Sequence, residues 1–299
     1  MKSFIKHITI VLIVSVIGVN IVSYASLRFM RNASFYKPSF LVNSVEEETF
    51  DYIILGASTG LTTLNTKAID SILGTDGINL SMDDTGIASQ QLMLEHFLNQ
   101  GKTSKYCILA PNAMSYDGNY YSVSDNDYRF LPFVNETYIH DYYNGYNDFE
   151  SNVMSLSKHL PFVGVSYYNA ELLFPSVYSA VNKNKRNRFD DRGNYTYPER
   201  NTTSVQISSK SECVVKFQNS NLATIQKLCE ANDIELIYYI SPMREVSVKT
   251  KDQDTQVINH SDILDNAEYF YDAIHVNKKG RRLTSHEFAI DFQMIMNTQ

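Results

Sequence analysis

The chain has 299 residues, 43% of them hydrophobic, and a formal net charge of −7. That length holds one sizeable α/β domain with an insertion and does not require a second independent domain. The acidic balance, with no Lys/Arg run long enough to track phosphates, argues against a nucleic-acid partner.

Residues 1–31 stand apart. Lys2, Lys6 and His7 precede an uncharged segment from Ile8 to Leu27, and Arg28 and Arg31 follow it. About 20 apolar residues suffice for a helix to cross the hydrocarbon of a bilayer. A signal peptide has a shorter apolar core, so the length favours an uncleaved anchor, although Tyr24-Ala25-Ser26 offers a small-residue cleavage site. Either reading puts most of the chain outside the cytoplasm, as a single-pass membrane protein in the first case. Residues 32–50, with Pro38 and the acidic Glu46–Glu48, read as a linker.

A domain spanning 51–299 follows. In "DYIILGASTG", Asp51–Leu55 reads as a buried strand and Gly56–Gly60 as a sharp turn into a helix. Leu64–Leu73 is a short helix, Gly77–Leu80 a second strand, and Ile87–Leu98 an amphipathic helix with Ile87, Leu92, Leu94 and Phe97 on its apolar side. Lys105–Ala110 is a third strand, stopped by Pro111. Strands and helices alternating in short steps predict a three-layer α/β sandwich around a central parallel sheet. The alternation breaks over 113–216, which holds most of the 21 tyrosines and reads as one long insertion. It resumes with a helix at about 219–231, a strand at Ile234–Ser241 and a final helix from Lys278. Of the three cysteines, Cys107 lies in an apolar strand, and Cys213 and Cys229 are candidates for pairing in an oxidising compartment. No CxxC or His/Cys cluster points to a metal, and no motif calls for a cofactor.

Two segments carry chemistry. Ser58 sits on the first turn among residues with almost no side chain, in a loose G-x-S-x-G pattern. The small neighbours allow either close packing of strand on helix or close approach of an acyl carbon to the hydroxyl. Near the C-terminus, "YFYDAIHVNKKG" places Asp272 three residues before His275 on one loop. That spacing sets a carboxylate against one imidazole nitrogen and leaves the other free to take a proton from a serine.

Together these residues resemble the SGNH (GDSL-like) hydrolase superfamily. Gly56-Ala57-Ser58 stands where that family has its first block, with Ala in place of Asp. Gly86 in "NLSMDDTGIASQQ" stands in the loop after the second strand. Asn112 in "LAPNAMS" follows the third strand, without the family's neighbouring Gly and Asp. Asp272 and His275 match its D-x-x-H. The resemblance covers residues 51–112 and 217–297. It implies a Ser58–His275–Asp272 triad and an oxyanion site built from the Ser58 and Gly86 N–H groups and the Asn112 side chain. It also implies kinship with the membrane-anchored members that serve teichoic-acid D-alanylation and alginate O-acetylation beside a membrane-bound O-acyltransferase.

Other features have plainer readings. Asn112 also suits a turn after Pro111, and Gly86 a helix N-cap. Asp83 and Asp84 precede a helix whose dipole they favour. His96, His140, His159, His260 and His286 show no ligand spacing. In the insertion, "SYDGNYYSVSDNDYRF" and "YIHDYYNGYNDF" mix Tyr with Asn and Asp as sugar-binding surfaces do, and Arg188, Asp190, Asp191 and Arg192 suggest a local ion network. The sequence therefore predicts an extracytoplasmic serine esterase or O-acyltransferase acting on an acyl ester of a cell-surface polysaccharide. A catalytically silent protein of the same fold, binding a glycan or a membrane acyltransferase, is the other reading, kept open by the missing Asp residues of the first and third blocks.

Overall fold

The run from Tyr52 to Leu55 has no polar alternate positions, so its strand needs cover on both faces. The structure is a computed structural model describing residues 1–119, 122–199, 205–207, 209–251 and 256–298. In chain order its elements begin α1 (Lys2–Arg31), α2 (Lys37–Ser44), β1 (Thr49–Gly56), α3 (Ser58–Thr63), α4 (Thr66–Leu73), β2 (Gly77–Asn79), α5 (Ile87–Asn99) and β3 (Thr103–Ala110). They continue with α6 (Thr137–Asn144), α7 (Phe149–Leu156), α8 (Pro161–Tyr168), α9 (Ala170–Val181), β4 (Ser211–Val215), α10 (Ser220–Glu230), β5 (Glu235–Ile240), β6 (Val246–Thr250), β7 (Val257–Asn259) and α11 (Lys278–Met296). They form two compact units, one from residues 1–45, 122–123 and 127–187, the other from 46–119, 124–126 and 188–298.

The second unit holds a five-stranded parallel sheet in the order β2-β1-β3-β5-β7. Numbered within the sheet, this is the 2-1-3-4-5 order of a doubly wound fold, whose direction of winding switches between the first and third strands. Tyr52 and Ile54, Tyr106 and Ile108, Ile237 and Tyr239, and Ile258 line one face beneath Leu64 and Ile69 and beneath Phe288 and Phe292 of α11. On β3 the alternate residue Cys107 meets Cys229 of α10, which packs beside α5. The neighbouring sulfur and burial push the Cys107 thiol well above its ordinary pKa. All three cysteines are free. Cys213 does not pair with Cys229: it approaches the Met114 sulfur at 3.5 Å, on β4, which joins β6 in a separate two-stranded parallel sheet.

The first unit is helical. Residues 32–50 are not a linker: α2 lies there with Phe40 and Leu41 fully buried, beside the buried aromatic residues Tyr36, Phe130 and Phe133. The insertion is also shorter than 113–216, because 188–199 and β4 belong with the sheet. Asp190 and Asp191 pair with Lys67, and Arg192 bonds Glu47 at 3.0 Å and Asp76 at 2.9 Å. The charges at 188–192 are therefore clamps onto other elements rather than a network among themselves. Asn194, buried, completes the clamp by accepting the Thr66 N–H at 3.0 Å and a guanidinium N–H of buried Arg281 at 3.2 Å.

Candidate active site

Register brings the site together. Gly56 pairs with Ala110 across β1 and β3, so Ser58 and Asn112, each two residues further on, leave the same edge at the switch point of the sheet. The glycines beside Ser58 answer to packing: a Cβ on Gly56 would lie 2.2 Å from the Ala110 carbonyl oxygen, and one on Gly60 2.6 Å from it. Ser58 opens α3, whose first N–H groups have no acceptor within the helix.

The Asp272–His275 loop is self-supporting. One carboxylate oxygen of Asp272 accepts the N–H groups of Ile274 at 3.0 Å and His275 at 2.9 Å, and the other meets His275 Nδ1 at 2.8 Å. A three-residue spacing lets a single side chain hold both backbone and ring. Two residues on, buried Asn277 caps α11 by accepting from the N–H groups of Lys279 and Gly280, which fixes the loop to a rigid helix. His275 Nε2 lies 2.8 Å from Ser58 Oγ. An ionised carboxylate only accepts, so Nδ1 carries the ring proton and Nε2 is free to accept the Ser58 hydroxyl. Partial burial draws the Asp272 carboxyl upward in pKa. The His275 ring and the two N–H donors outweigh it and hold the carboxyl below its ordinary range.

Ser58, Asp272 and His275 are thus brought into one hydrogen-bonded chain. Asn112 is placed with its Oδ1 accepting the Met114 N–H at 3.1 Å, which leaves the Nδ2 end as a donor. Gly86 departs from the expectation. Its N–H donates to Ser124 Oγ at 2.9 Å, and its carbonyl accepts from Ser89 and Gln90 at the start of α5. It is a helix N-cap whose donor is already spent. Asp83 pairs with Arg188 at 3.4 Å. In a second His–Asp pair, His260 Nε2 to Asp291 at 2.9 Å, the buried His260 ring is closed at its other nitrogen by the Tyr239 hydroxyl at 3.3 Å, so it has no lone pair to offer.

Sequence reading missed the aromatic wall. Tyr197 stacks on Tyr271 with ring centroids 4.2 Å apart and 11° between planes, and its ring centre lies 5.2 Å from that of His275. Tyr195 packs edge-on to Tyr197 and receives the Arg188 guanidinium 5.6 Å above its ring. The only hint was the "NYTYP" run itself, since nothing local says that 188–199 is clamped to the sheet. No protein-family model matches the chain, and no curated protein matches it.

Proposed function

We propose that this chain is an SGNH-type serine esterase or O-acyltransferase that takes an acyl group from an ester on a carbohydrate. The observation that carries the reading is His275 bridging Ser58 and Asp272 at 2.8 Å on either side. Ser58 Oγ attacks the acyl carbonyl while its proton passes to His275 Nε2, and Asp272 stabilises the resulting imidazolium. The proton then goes from Nε2 to the departing alkoxide, leaving an ester on Ser58. Water or a sugar hydroxyl, deprotonated by the same nitrogen, releases the acyl group as acid or as new ester. With the Gly86 N–H engaged by Ser124, the donors left for the oxyanion are the Ser58 N–H and the Asn112 Nδ2.

The strand order, a Ser after the first strand, an Asn after the third and D-x-x-H before the last helix support the family reading. The half-buried Tyr195, Tyr197 and Tyr271 beside His275 suit a sugar ring. α1 is long and apolar enough to span a membrane. Its Tyr24-Ala25-Ser26 segment lies within the last turns of the helix with Ser26 and Leu27 buried, which favours an anchor over a cleaved signal. The sheet unit then stands outside the cytoplasm, where a membrane-bound O-acyltransferase partner would supply or receive the acyl group.

The test uses the full chain in detergent micelles. It should release p-nitrophenol from p-nitrophenyl acetate and be labelled at Ser58 by a fluorophosphonate, and Ser58→Ala should abolish both. Turnover that survives in Ser58→Ala, or a folded wild type that neither turns over nor labels, would overturn the assignment.

A further inference from the structure

The helical unit has one edge built the wrong way round for water. In α9 the residues turned inward are Leu172, Pro175, Ser176 and Ser179, while Phe174, Val177, Tyr178 and Val181 are 66%, 62%, 56% and 85% exposed. In α1 the buried residues are Ser23, Ser26, Leu27 and Met30, and the apolar side chains from Ile8 to Val22 point outward. α9 and α8 both pack on α1. Four serines share the buried positions with Leu27, Met30, Leu172 and Pro175 while large apolar groups face outward, a pattern of helices that associate in lipid, where small residues let backbones approach and burial of Phe or Val gains nothing.

Depth is fixed by one contact. The Phe162 N–H of α8 donates to Asn20 Oδ1 at 3.4 Å. Asn20 lies seven residues before Leu27, the end of the uncharged run, hence about 10 Å below it at 1.5 Å per residue. The start of α8 is finished without water. Pro161 has no N–H, Phe162 uses Asn20, and the Val163 N–H bonds the Leu160 carbonyl at 2.9 Å. Asn20 meets its own remaining need by donating to the Val16 carbonyl at 3.0 Å. A helix terminus in lipid must satisfy its donors internally, whereas one in water has no such requirement. Basic residues mark the other limit. Lys183 and Lys185 follow α9, and the Lys183 carbonyl accepts the Ser34 N–H just beyond the end of α1, on the side of Arg28 and Arg31.

We infer that α8 and the outward face of α9 are seated in the outer leaflet of the bilayer beside α1, so that the chain grips the membrane by a helical collar as well as by its span. The inference rests on α1 crossing the membrane. It differs from the anchor reading in naming a second lipid-facing element, from within the insertion.

The chain contains no Trp, so single reporters can be placed without background in the full chain reconstituted in phosphatidylcholine/phosphatidylglycerol vesicles. Phe174→Trp and Val177→Trp should lose roughly half or more of their emission to lipids brominated on the acyl chain and resist aqueous iodide, as expected of a face buried several Å below the headgroups. Val14→Trp reports the span itself, and Ile290→Trp on the sheet unit reports water. If Val14→Trp is quenched by bromine while the α9 reporters respond to iodide like Ile290→Trp, the collar is wrong and the anchor stands. If the α9 reporters are shielded from both quenchers, protein covers that face and the lipid assignment fails. If Val14→Trp also escapes bromine, the anchor reading falls and takes the collar with it.

Discussion

α11 and α9 make opposite choices about what to hide. α11 turns Phe288, Ala289 and Phe292 onto the sheet, fully buried, and shows Lys278, Lys279 and Arg282 to solvent. α9 hides Ser176 and Ser179 along with Leu172 and Pro175, and shows Phe174 and Val177. Composition separates the two helices in part, since α11 carries six charged residues in 19 and α9 one in 12. The rest of the separation lies in which face the partners occupy, and that reports the solvent each helix was shaped against. The sheet unit obeys water, and the proposed Ser58–His275–Asp272 triad sits at one edge of its sheet. The helical unit has an ordinary core that includes Phe40, Phe130 and Phe133, and an α9 face that is not ordinary.

The largest expected effect would show that chemistry belongs to the sheet unit alone. Asp272→Asn should lower kcat on a soluble ester by about 10³–10⁴, because an amide no longer fixes the tautomer with Nε2 free. Val177→Ser, which alters only the α9 face, should leave kcat on the same ester within about twofold. Equal losses in both variants would mean that the units are not separable in function. The next test sets like against like. Phe288→Ala should cost about 3–5 kcal/mol of unfolding free energy in detergent, as removal of a buried ring does, whereas Phe174→Ala should stay within about 0.5 kcal/mol. Comparable costs for the two would break the comparison.

Gly56→Ala should cost about 1–3 kcal/mol, since a Cβ at 2.2 Å from the Ala110 carbonyl forces β1 from β3. The same displacement moves Ser58, so ester turnover should fall with stability. A variant that folds as firmly as wild type would show that the strand ends are more loosely held than the register implies.

Much of the sheet unit was legible in the sequence for a physical reason. Parallel strands covered on both faces must be nearly all apolar, and "YIIL" and "YCILA" have no competing pattern. D-x-x-H was legible because its geometry is local: Asp272 builds the loop that carries His275. Gly86 misled because an oxyanion donor and a helix N-cap look alike in sequence, and the decisive partner, Ser124, is 38 residues away. The second layer of the site was hidden for the same reason. Tyr197 reaches His275 through a backbone bridge to Asn277, on a segment that Asp190, Asp191 and Arg192 tie to Lys67, Glu47 and Asp76. The linker reading of 32–50 failed because Phe40 and Leu41 are too few to signal a core without the distant Phe130 and Phe133.

The smallest effect reads the sheet unit's interior by a proton. Burial drives the His260 pKa below its ordinary value, and the Asp291 carboxylate and the charge of Glu287 only partly oppose this. The remaining neighbour at the ring is the Tyr239 hydroxyl. A lowered folded-state pKa means that the unfolded chain binds the proton more readily. The stability contributed by neutral His260 is then full above about pH 6.5 and is lost as pH falls from there toward the folded-state value. The unfolding free energy of the full chain in urea titrations should therefore decline as pH falls below about 6.5 with a slope of up to about 1.4 kcal/mol per pH unit, and His260→Gln should flatten that decline. A His260→Gln variant with an unchanged slope would place the acid sensitivity elsewhere. It would also mean that the Asp291 bond offsets burial at this position, leaving the sheet unit's interior more polar than its packed rings suggest.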